Sequence, residues 1–175
     1  MLPDPLHPAI VHFPIVLLLL GAPLALFAVF VRKWNLPVLV AIVLSLGSAG
    51  AVVATVTGGK AAEMAGELPD DGELALDRHE GWGKRARIAA VLASALAILS
   101  AALVRKPAAA RMAGAVAAIA AVAAAFSVAQ AGHYGGQMVY KYGVGVNASA
   151  SVGGASTEAL QPKAGEEKPK KADND

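Results

Sequence analysis

Cysteine is absent from the 175-residue chain. Disulfides, thiolate metal sites, iron–sulfur clusters and covalent c-type haem attachment are therefore excluded. Charge is also scarce, at 16% of residues, against about 25% in ordinary soluble domains. The net charge is only +2, and the basic residues flank apolar blocks, which is the pattern of membrane anchors and not of a nucleic-acid surface. No basic region precedes the first apolar run, and that run is longer than a usual signal h-region, so no cleavable signal peptide is expected. No Ser/His/Asp or paired-carboxylate arrangement stands out, and Gly143-x-Gly145 lacks the strand–turn–helix of a nucleotide loop. A non-catalytic protein is expected.

Apolar residues make up 56% of the chain and are gathered into blocks. Four runs are long and charge-poor enough to suggest bilayer crossings: residues 8–31, 37–57, 88–104 and 112–131. Arg32, Lys33 and Trp34 end the first as an interface anchor. Gly47, Ser48, Gly50 and Ala51 give the second a surface that lets helices approach closely. Gly58 and Gly59 are expected to end it. A polar, acidic loop, residues 60–82, follows, with helix from residue 74 feeding into the third run. Arg105, Lys106 and Pro107 break that run, and the Ala-rich fourth ends near Gly132, Gly135 and Gly136. The fold class is an all-α membrane protein: a four-transmembrane-helix bundle (1–146), a polar loop between helices 2 and 3, and a tail (147–175) whose composition predicts disorder.

Only four histidines occur, and crossing counts put all of them at one membrane face. His7 and His12 open the first span, His79 lies two crossings later, and His133 two crossings after that. A histidine at the edge of a membrane helix is costly without a partner and is a functional candidate. Five residues turn a straight helix by about 500°, so His7 and His12 point about 140° apart. Pro14 frees the carbonyl of Ile10 and is expected to bend the helix beside His12. His133 is followed by Gly135 and Gly136, which suits a backbone approached closely by something flat or bulky. Imidazoles on facing helices ligate haem iron or a bare metal. The first expectation is that His12 and His133 are axial ligands of a b-type haem, with His7 and His79 completing a second haem or supporting the first. Arg85 and Arg87 are candidate partners of the propionates, Phe13, Tyr134 and Tyr140 candidate edge residues, and Met64 and Met138 candidate soft ligands. The bland readings are a helix cap for His7, a snorkelling loop group for His79, ordinary interface charges for the arginines and packing for the methionines.

His7-Pro8-x-x-Val11-His12-Phe13-Pro14, Thr57-Gly58, His79 and His133-x-Gly135-Gly136-x-x-Val139-Tyr140 together resemble a bacterial family of four-helix membrane domains of unknown function. The resemblance covers about residues 2–146. That family is similar to small b-type cytochromes in its histidine layout. It implies membrane electron transfer beside redox subunits such as c-type cytochrome or Rieske-type proteins, and carries no catalytic residues. The expected function is thus an electron-transfer or anchor subunit in the bacterial inner membrane, binding one or two b-type haems. Histidine-based copper or zinc binding, or a purely structural subunit of a redox complex, are the alternatives. The two short loops are almost purely basic, which favours a periplasmic histidine face.

Overall fold

The computed structural model describes residues 7–33, 35–63 and 66–145. Five helices are present among them: α1 (His7–Ile10), α2 (His12–Phe30), α3 (Leu36–Glu63), α4 (Asp70–Ala102) and α5 (Pro107–Tyr142). α1 and α2 form one span with a local break, so four helices are long and apolar enough to cross a membrane. Trp34, Met64 and the tail from residue 146 onward lie outside the described residues.

The break falls at Val11, next to the carbonyl that Pro14 leaves without its helical donor. The backbone bonds on either side survive, from Val11 N to His7 O (3.1 Å) and from Ile15 N to Val11 O (3.2 Å). The expected bend is therefore a one-residue interruption and not an end to the helix.

Two helix ends differ from expectation. α3 runs through Gly58 and Gly59 to Glu63, and α5 runs through the glycines at 132, 135 and 136 to Tyr142. Each internal glycine costs a helix about 1 kcal/mol relative to alanine, so glycine read as a stop is a reasonable local rule. Tertiary contacts override it here. The polar loop shrinks accordingly, to the few residues between Glu63 and Asp70. α5 does stop at Gly143, whose left-handed backbone (φ 68°) lets its N–H and that of Val144 return to the carbonyls of Val139 and Met138. At the other turn Asn35 takes φ 55° between α2 and α3.

The helices pack in a ring, α2 against α3, α3 against α4, α4 against α5, and α5 back against α2. The interior is built of small side chains, with Ala25, Ala90, Ala93, Ala117, Ala121 and Ala124 buried, while Leu20, Phe27, Phe30, Ile119 and Phe126 face outward. Lipid tails are as apolar as leucine, so close backbone approach and not apolar burial holds such helices together. Leu18 and Leu44, the largest fully buried side chains among the described residues, show how close. Leu44 sits 2.8 Å from where a Cβ of Gly21 would be, and Leu18 sits 3.0 Å from that of Gly47. A Ser45–Ser94 hydroxyl pair at 2.9 Å links α3 to α4. At the end opposite the histidines, Arg32 and Ser100 both donate to the carbonyl of Ala110, closing the first span onto α5.

Candidate cofactor site

The open end of the bundle brings two of the four histidines together. His7, from α1, and His79, from α4, are half-buried with ring centroids 6.1 Å apart and planes at 89°. Each is held by the neighbouring helix in the same way. His7 Nδ1 donates to the carbonyl of Ala54 on α3 at 2.9 Å, with Thr57 Oγ1 at 3.4 Å. His79 Nδ1 donates to the carbonyl of Ala131 on α5 at 2.8 Å. A carbonyl oxygen only accepts, so Nδ1 carries a proton in both rings, which leaves Nε2 as the nitrogen that ligates when the ring is neutral.

One turn beyond each carbonyl lies the glycine that makes room. A Cβ on Gly58 would fall 3.0 Å from His7 Cε1, and a Cβ on Gly135 would fall 3.1 Å from both Cε1 and Nδ1 of His79. This explains why α3 and α5 keep glycines inside helical turns. The carbonyl at one position and the bare Cα four residues later form a slot for an imidazole edge, and each hairpin of the bundle builds one. The close approach expected beside Gly135 is therefore met by the His79 ring.

The centroid distance of 6.1 Å is that of two imidazoles whose Nε2 atoms face one shared atom. Two metal–nitrogen bonds of about 2.0 Å, with about 1.1 Å from each nitrogen to its ring centre, separate the centroids of opposed imidazoles by about 6 Å. Among the described residues no group of three His, Asp or Glu gathers around a common point.

His12 and His133 are placed differently. His12 is exposed on α2, and His133 is exposed on α5, where Gln137 donates to its Nε2 at 2.8 Å and the Tyr134 ring lies 5.2 Å away. Of the two N-terminal histidines, His7 is the half-buried one, packed on α3, and His12 is exposed. Arg85 lays its guanidinium over Trp82 at 4.6 Å, and Arg87 reaches Thr55 Oγ1 at 3.4 Å. Met138 is a buried packing residue, while Tyr140 and Phe13 are exposed. Sequence reasoning missed Ala54 and Ala131 as hydrogen-bond partners. No signal marks them, because any residue supplies a carbonyl.

Four apolar helices around an alanine-rich interior, with polar groups gathered at one mouth, define a multi-pass membrane protein embedded in a lipid bilayer. The chain belongs to the family described as "Predicted membrane protein (DUF2231)", whose model matches residues 3–148. No curated protein and no solved structure matches it.

Proposed function

We propose that this protein is a non-catalytic membrane subunit that carries a b-type haem between His7 and His79 and passes electrons to partner subunits. The observation that carries the reading is the pair of rings 6.1 Å apart, each fixed through Nδ1 to a backbone carbonyl. Metal-bound histidines generally have their second nitrogen tied down in this way, which sets tautomer and orientation.

The donor count favours haem over a closed zinc site. Structural zinc takes four protein ligands and catalytic zinc three, whereas the described residues offer two imidazoles. A macrocycle brings its own equatorial nitrogens, so two histidines complete the set. A haem held by His7 and His79 would supply one-electron transfer. The chain's residues then hold and orient: Ala54 and Ala131 fix the rings, and Gly58 and Gly135 admit them. In this reading His12 and His133 lie outside the ligand pair.

Two-coordinate copper is the second reading, because the ring spacing serves a single copper atom equally well. Arg32, Lys33, Arg105, Lys106 and Arg111 flank the opposite end in two almost purely basic short loops, against Lys60, Arg78, Lys84, Arg85, Arg87 and Lys141 mixed with acids on the histidine side, and the purity of the short loops carries our choice of orientation. Basic short loops stay cytoplasmic, so the histidine mouth opens to the periplasmic side of the inner membrane, where a c-type cytochrome or Rieske-type subunit approaches. The absorption spectrum and metal content of the purified protein test the assignment. A Soret band with stoichiometric iron is expected. Stoichiometric copper without one moves the second reading to first.

A further inference from the structure

A second feature lies on the exposed side of the α3–α4 seam. Val52, Arg87, Ile88, Val91 and Leu92 line an open groove of about 380 Å³. The four apolar members are exposed. Arg87 stands immediately before the charge-free run of residues 88–104, so it marks the hydrocarbon boundary, where lipid phosphates lie.

The charges around it are already matched. Lys84 pairs with Glu80 at 2.9 Å, and Arg85 stacks on Trp82. Arg87 is half-buried, and among the described residues its one hydrogen-bond partner is the neutral Thr55 hydroxyl, at a long 3.4 Å. A guanidinium has five N–H donors in a fork that suits two oxygens of one anion. Among the described residues no carboxylate lies within ion-pair distance of Arg87, and at a membrane boundary such a cation attracts anionic lipid headgroups.

We infer that this groove holds an anionic phospholipid, its phosphate on Arg87 and an acyl chain along Val52, Ile88, Val91 and Leu92. The charge selects the headgroup: zwitterionic lipid brings its own ammonium, and a quinone head is neutral. This gives Arg87 to a lipid phosphate in place of the haem propionate expected from the sequence, and it stands whether the histidines hold haem, copper or neither.

Native mass spectrometry of the full chain in a neutral detergent, with added dioleoyl phosphatidylglycerol or dioleoyl phosphatidylcholine, tests it. The wild type should retain the phosphatidylglycerol adduct about fivefold more than the phosphatidylcholine adduct, the factor a single interfacial cation contributes. Arg87→Gln should erase that preference, and Lys60→Gln, exposed elsewhere on the same face, should leave it. Val91→Trp, which fills the groove and keeps Arg87, should lower retention of both lipids. Equal retention of the two lipids by the wild type, an undiminished preference in Arg87→Gln, or replacement of phosphatidylglycerol by added neutral quinone would overturn the inference.

Discussion

The imidazole rings of His7 and His79 meet nearly at right angles, their centroids 6.1 Å apart, although they come from different hairpins of the bundle. Each ring leans on the second helix of its own hairpin, through the Ala54 carbonyl and Gly58 in one case and the Ala131 carbonyl and Gly135 in the other. The mouth is thus two copies of one device facing each other, and the consequences below follow from how tightly each is built.

The glycines can be tested against their neighbours. Gly59 and Gly136 have nothing within 4 Å of an added Cβ. Gly59→Ala and Gly136→Ala should therefore stabilise the protein by about 0.5–1 kcal/mol through helix propensity alone. Gly58→Ala and Gly135→Ala should forfeit that gain and cost about 1–3 kcal/mol more by overpacking against the imidazoles. Detergent-phase unfolding of the four variants measures the contrast. Equal behaviour within each adjacent pair would show that the histidines do not occupy the slots.

The Ser45–Ser94 pair predicts a modest, non-additive loss. Interhelical hydrogen bonds in membranes contribute about 0.6 kcal/mol on average. Ser45→Ala and Ser94→Ala should each cost about that much, and the double variant little more than either single one. A double-mutant cycle in unfolding free energy checks it, with simple additivity as the contrary result.

The crossing count is open to labelling, helped by the absence of native cysteine. Asn35 lies in the α2–α3 turn and Asp70 begins α4, one crossing later. Asn35→Cys and Asp70→Cys should react with a membrane-impermeant maleimide from opposite sides. Reaction from the same side would remove one span.

The spans were legible because charge-free runs of about 20 residues have few other uses. The gathering of histidines at one end followed from counting crossings. That α3 and α5 continue through Gly58 and Gly135 was not legible, because glycine in isolation reads as a stop and only the arriving imidazole explains its place inside a helix. The choice between His7 and His12 was not legible either. Their angular separation fixes that one points inward, but which one depends on how the first span is rotated against α3, and that is set by packing such as Leu18 over Gly47. Helix from residue 74 was legible and already contained His79; α4 begins four residues earlier, at Asp70.

The central claim, that His7 and His79 ligate one centre, is tested most directly by low-temperature electron paramagnetic resonance of the oxidised, purified protein. With a haem held between them, ring planes at 89° would leave the two iron π-orbitals nearly equal in energy, so the spectrum should be low-spin and strongly anisotropic. His7→Ala and His79→Ala should each convert it to high-spin or abolish it, because losing an axial imidazole weakens the ligand field. His12→Ala and His133→Ala should leave it intact. An unaltered low-spin signal in His7→Ala and His79→Ala, or its loss in His12→Ala or His133→Ala, would contradict the account.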